Sequence, residues 1–194
     1  VHIIIKLVFK PAKYQTKLLK GIENKGIIIH YERGSAGNLV HRILASHDPV
    51  YWSKLINNSY TPESNPLKWP ENKVADRIPR NSEILKAVKQ NKIFVFLSHV
   101  NIRTLNKNID VIRIVGDERK LRRKEIARPG RHFLQSIVED NTYNLNINNL
   151  VDENYDIFEE EYLALCSQYK FTPNTKPVRD FILVWRNKQD FSNI

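Results

Sequence analysis

The sequence has no methionine and a single cysteine, Cys166, among its 194 residues. One thiol excludes an internal disulfide and any zinc or iron–sulfur site built from cysteines. Within an apolar helical stretch, Cys166 reads as a small buried residue rather than a nucleophile. The redox compartment is left open, and the cytoplasm is the expected location. No apolar run approaches the roughly 20 residues of a membrane helix, so no membrane partner is expected. Val1–Phe9 is apolar, but it is short for a signal peptide and no small-residue cleavage pattern follows it. It reads as a strand or a trimmed end, and the missing methionine points to residues upstream of Val1. His41 and His47 lack the three- or four-residue spacing of a helical metal pair, so no metal is assigned. Neither an internal repeat nor a second domain is evident, and residues 1–194 read as one domain.

What the chain does have is a 41% hydrophobic content, enough for a folded core, and a net charge of +10. The charge favours anionic partners: nucleotides, sulfated or phosphorylated substrates, or nucleic acid. One stretch gives this a focus. Gly26–Glu32 is a β-branched run of strand length, Arg33-Gly34-Ser35-Ala36-Gly37-Asn38 is small and polar, and Leu39–His47 carries Leu39, Val40, Ile43 and Leu44 on one helical face. Strand, small-residue loop and helix together make an anion site. The loop lets backbone approach a phosphate or sulfate, and the helix start offers unpaired N–H groups and a partial positive charge. The common nucleotide-binding loop needs Lys and then Ser or Thr after its second glycine; here Asn38 and Leu39 stand there, which weakens a kinase-like reading.

Along the rest of the chain, Tyr14–Lys20 predicts a short helix and Val50–Ile56 another helical turn or two. Asn57–Pro79 reads as a long loop with Pro62, Pro66, Trp69, Pro70 and Pro79, expected to cover the Arg33 loop as a lid. Asn81 should cap a helix over Ser82–Asn91, with Ile84, Leu85 and Val88 on its apolar face. Lys92–Leu97 is a continuous apolar strand suited to the centre of a parallel sheet, ending at Ser98-His99. Asp110–Val115 is a third strand, broken by Gly116-Asp117 and followed by a very basic helix containing Arg119, Lys120, Arg122, Arg123, Lys124 and Arg128. After Pro129-Gly130 a helix starts at His132–Val138; Tyr143–Leu150 predicts a strand and Asp156–Tyr169 an amphipathic helix. Pro173–Pro177 reads as a turn before a last helix, Val178–Lys188, with Phe181, Ile182, Val184 and Trp185 inward. Alternating strands and helices predict an α/β fold of three layers, a mostly parallel sheet flanked by helices. Ligands of such sheets sit beyond the carboxyl ends of the strands, and Arg33, His99 and Gly116-Asp117 all follow a strand.

These residues suit transfer of a charged group. Arg33, Gly34, Ser35, Ala36, Gly37 and Asn38 would hold the group, and His99 would take a proton from an acceptor hydroxyl. Arg119, Arg122 and Arg123 would bind a second phosphate. His30, within its strand, reads as structural.

The order of these elements from Gly26 to Phe171 resembles the sulfotransferase family, whose fold is related to the P-loop NTPases. The Arg33–Leu39 loop looks like the family's phosphosulfate loop, Ser98-His99 like its Thr-His strand end, and Ile112–Arg119 like the strand entering its Arg-Asp-Pro segment. Tyr143–Phe171 is similar to the strand and acidic helix that follow. The resemblance implies 3′-phosphoadenosine 5′-phosphosulfate as donor, a hydroxyl-bearing acceptor, Arg33 and His99 as catalytic residues, and the loop with Arg119, Arg122 and Arg123 as the donor site. The sequence departs from the family where its 3′-phosphate is held: Gly116 stands at the arginine position, Glu118 at the proline and Lys124 near the serine. The alternative is an inactive, basic nucleic-acid-binding or assembly protein on a degenerate transferase fold.

Overall fold

The computed structural model describes residues 25–32, 36–52, 54–56, 59–61, 65–67, 81–98, 108–117 and 141–188. Four strands form a parallel sheet: β1 (Gly26–His30), β4 (Phe94–Ser98), β5 (Ile109–Val115) and β6 (Thr142–Asn146), in the order β4-β1-β5-β6. A separate antiparallel pair, β2 (Lys54–Ile56) and β3 (Ser59–Thr61), lies between β1 and β4 in sequence. The helices are α1 (Gly37–Ala45), α2 (Asn81–Lys89), α3 (Ile147–Leu150), α4 (Tyr155–Tyr169) and α5 (Thr175–Lys188).

The sheet has two apolar faces because β1 and β4 carry apolar residues at successive positions, Ile27–Ile29 and Phe94–Leu97, rather than at alternate ones, the pattern of a strand covered on both sides. Ile27, Ile28 and Ile29 are all essentially inaccessible. Ile27 and Ile29, with Val95, Leu97, Ile112 and Ile114, face α1, α4 and α5; Ile28, Phe94, Phe96 and Ile109 face Ile84 and Ala87 of α2. The result is three layers, with α2 on one face and α1, α4 and α5 on the other. Among the described residues no helix is long and apolar enough to cross a membrane.

Several elements differ from the sequence reading. Lys54–Ile56 is a strand, not a helical turn, and Ser59–Thr61 within the expected loop pairs with it. β4 lies at the edge of the described sheet while β1 and β5 take its centre, so the length of an apolar run did not decide position. Leu85 is half exposed and Ala87 takes its place in the core; Val184 is likewise exposed while Val178 is buried. α5 starts at Thr175 and takes in Pro177, which is tolerated in a first turn because its missing N–H has no partner there anyway. The strand predicted over Tyr143–Leu150 stops at Asn146, whose side-chain oxygen accepts the Asn148 N–H at 3.1 Å and turns the chain into α3. Cys166 is buried as expected. The elements predicted over Val1–Phe9, Tyr14–Lys20, Arg119–Arg128 and His132–Val138 lie outside the described residues.

Candidate functional site

The carboxyl ends of all four sheet strands lie on one edge, and the chain's order reverses there. From β1 the chain moves outward to β4, then returns across the sheet to β5 and on to β6. The switch falls between β1 and β5, the place where open α/β sheets bind ligands. The residues after β1 are tied to this edge by the backbone: Tyr31 N–H donates to the Ser98 carbonyl at 3.0 Å. The entrance to the 31–36 connection therefore sits beside the residue that ends β4.

At the exit of that connection, Ala36 is the N-cap of α1 in the left-handed conformation, φ 65° and ψ 24°, and makes no side-chain cap. A capping side chain would normally accept one of the first N–H groups of the helix; alanine has none to offer. Gly37 follows under the Tyr31 ring, where a methyl group would lie 2.5 Å from a ring carbon, so only glycine fits. Ala36 and Gly37 are buried and Asn38 is half-buried. The start of α1 thus has the components of an oxyanion cradle. Of the predicted site residues, the structure places Ala36, Gly37 and Asn38 here. Arg33, Gly34, Ser35, His99, Arg119, Arg122 and Arg123 lie outside the described residues.

The strand leading to the basic segment also ends at this edge, and its exit is clamped. Asp117 N–H donates to Asn148 Oδ1 at 2.6 Å, and Asn148 Nδ2 donates to the Asp117 carbonyl at 3.0 Å. The side-chain amide acts as a short piece of strand. It fits because residue 116 has no side chain: a Cβ there would lie 2.5 Å from Asn148 Oδ1 and 2.8 Å from Ile147 Cγ2. The space that a side chain at residue 116 would need is therefore taken by Asn148 and Ile147. Sequence reading missed this pair, since nothing local links residues 116 and 148; the Asn146-x-Asn148 turn is its nearest trace.

Glu161 on α4 also lies at the end of β6. Its carboxylate accepts from Asn146 N–H at 3.0 Å and Asn149 Nδ2 at 3.3 Å. Burial pushes its pKa up, with these two hydrogen bonds opposing, so the group holds the β6–α3 turn.

The histidines of α1 and its C-terminal turn are embedded in packing rather than chemistry. His41 meets Trp52 edge-on at 5.2 Å between ring centroids, and its pKa is lowered to about 4, first by burial and then by the neighbouring Arg42 charge. His47 is buried at the far end of α1, where Nδ1 lies 3.1 Å from the Thr172 carbonyl and its ring stacks on Phe171 at 4.6 Å. Burial also lowers the His47 pKa, against the Thr172 contact and Asp48. Among the described residues no group of His, Cys, Asp and Glu could hold a metal ion.

The expected lid meets a different location in its described part. Pro66 accepts from Arg42 Nη1 at 2.9 Å, and Asn65, Pro66 and Leu67 line an open groove of about 580 Å³ with Ser46, Phe181 and Val184. Ser46 caps the C-terminus of α1, so residues 65–67 lie at the opposite end of that helix from Gly37. The remainder of the predicted lid lies outside the described residues, apart from β3. No protein-family model, curated protein or solved structure matches the chain.

Proposed function

We propose that this domain binds an oxyanion at the start of α1 and transfers a charged group in the manner of a sulfotransferase, from a phosphoadenosine-type donor to a hydroxyl acceptor. The observation that carries the reading is the junction of β1 and α1: a left-handed, side-chain-free cap at Ala36, followed by Gly37, at the carboxyl edge of a parallel sheet. Backbone N–H groups fixed in this way stabilise charge in a transition state without reorganising. Arg33 would add a full charge to the cradle. His99, next in sequence after the end of β4, would act as the base, and Arg119, Arg122 and Arg123 would hold the donor's second phosphate.

Calorimetry with 3′-phosphoadenosine 5′-phosphate tests this. Saturable binding weakened by Arg33→Ala is expected; no heat at millimolar nucleotide, together with no effect of Arg33→Ala on any anion, would end the proposal.

A second reading is favoured by a specific observation. With Gly116 at the position of the family's arginine, and Asn148 and Ile147 in the space a side chain there would need, the nucleotide's second phosphate loses its usual ligand, whereas a net charge of +10 suits a polyanion. A basic nucleic-acid-binding or assembly protein on the same fold would bind an oligonucleotide with steep salt dependence, weakened by Arg122→Ala and Arg123→Ala.

A further inference from the structure

The turn between α4 and α5, residues 171–174, is tied to the end of α1 through His47. That residue follows the Ser46 cap of α1 and is 5% exposed. Its Nδ1 lies 3.1 Å from the Thr172 carbonyl and its Nε2 3.5 Å from the Tyr162 hydroxyl. The same hydroxyl accepts the Asn174 N–H at 2.9 Å, and the imidazole stacks on Phe171. One imidazole and one phenol thus hold the turn on both sides of Pro173, whose nitrogen has no hydrogen to donate.

These contacts fix the protonation state of the ring. A carbonyl only accepts, so Nδ1 carries the hydrogen and Nε2 presents a lone pair to the Tyr162 O–H. The arrangement is complete with a neutral imidazole. A second proton would go to Nε2, where the hydroxyl already points its own hydrogen. The hydroxyl would then have to accept from both the ring and Asn174, and its hydrogen would pass to Cys166 Sγ, a weak acceptor beside it. Tyr162 and Cys166, which lie on this side of the ring from α4, are both held neutral by burial. Among the described residues Asp48 is the charged group that acts on the ring, and it is exposed. The carbonyl end of α1, where His47 N–H donates to Leu44, also favours a cation. Burial outweighs Asp48 and the Thr172 contact, and the pKa of His47 lies below its ordinary value.

The turn also forms one side of the open groove. Ser46 stands at the α1 side, with Asn174, Pro177 and Phe181 across from it. We propose that His47 is an acid-operated latch: neutral, it holds the 171–174 turn against the end of α1, and protonated, it releases the turn and widens the groove between Ser46 and Asn174. The latch is independent of any ligand at the start of α1.

A closed turn that excludes the proton and a released turn that takes it up are linked. Release then grows with acid below about pH 6.5, approaching tenfold per pH unit, until the closed form itself protonates. Amide hydrogen exchange read by NMR tests this. The protection factor of Asn174 should fall about fivefold or more between pH 7 and pH 5, while those of Ile28 and Ile112 in the sheet change less. His47→Asn, which leaves nothing to titrate at this position, should abolish the difference, and His41→Asn should leave it in place. The proposal is overturned if Asn174 loses no protection, if it loses protection in step with Ile28 and Ile112, or if His47→Asn behaves as wild type. Should His47→Asn fail to fold, the wild-type comparison with the sheet amides and the variant His47→Gln decide in the same terms.

Discussion

Replacing Gly116 with alanine strikes the clamp that ends β5. The new methyl group would lie 2.5 Å from Asn148 Oδ1 and 2.8 Å from Ile147 Cγ2, and both side chains are buried in α3. The collision costs about 1–3 kcal/mol as overpacking. Displacing Asn148 also forfeits its two hydrogen bonds to the Asp117 backbone, worth about 1 kcal/mol each. A gain of about 0.5 kcal/mol from restricting the unfolded chain opposes these losses. The sum is a destabilisation of about 2.5–4.5 kcal/mol. Asn148→Ala alone should cost about 1–3 kcal/mol, since it loses the same bonds without the collision. In the double variant the methyl group no longer meets an amide, so the costs should not add; a favourable coupling of about 1–2 kcal/mol is expected. Urea unfolding of wild type, both single variants and the double variant measures it. Additivity within about 0.5 kcal/mol would show that Gly116 and Asn148 do not share the space assigned to them.

Three further predictions follow from the same packing. Gly37→Ala should destabilise by about 1–3 kcal/mol, because the Tyr31 ring must give way, and should shift the amide resonances of Asn38 and Leu39; an unchanged melting midpoint would refute the close approach. The depressed pKa of His41 makes the unfolded state the better proton acceptor, so His41's contribution is fully present above about pH 6.5 and is lost as the pH falls through about 4. The shift alone amounts to about 3 kcal/mol, and partial exposure of the ring reduces this to roughly 1–2. Raised pKa values at Asp110 and Glu161 act in the opposite sense, so the check is the difference between wild type and His41→Asn across that window; parallel pH profiles would refute it. Ile28→Ala, at the centre of the sheet with no exposed surface, should cost about 2–5 kcal/mol in urea unfolding.

What the sequence disclosed and what it concealed divide along the range of the interactions. β1, β5, α1 and α4 were legible because their signals are local: runs of β-branched residues, apolar positions at helical spacing, and a glycine where the strand ends. The position of β4 was not, because an apolar run of five reads the same at an edge as at a centre; only the pairing of β1 with both neighbours decides it. Leu85 and Val184 look inward on a helical wheel yet face solvent, since the sheet or helix that would cover them is a matter of tertiary placement. β2 and β3 are only three residues each, too short for strand alternation to show in the sequence. Of the site, the strand–loop–helix and the glycine at position 37 were visible. The Gly116–Asn148 clamp was not, because it is a relation between distant segments.

The central claim is that the start of α1 holds an oxyanion. Amide NMR of the protein titrated with 3′-phosphoadenosine 5′-phosphate, and separately with sulfate, examines it at the atoms concerned. The account predicts saturable shifts of the Gly37 and Asn38 amides, larger than those along the rest of α1 and much reduced in Arg33→Ala. Amides of Gly37 and Asn38 that stay unmoved while the anion binds elsewhere, or does not bind, would contradict it.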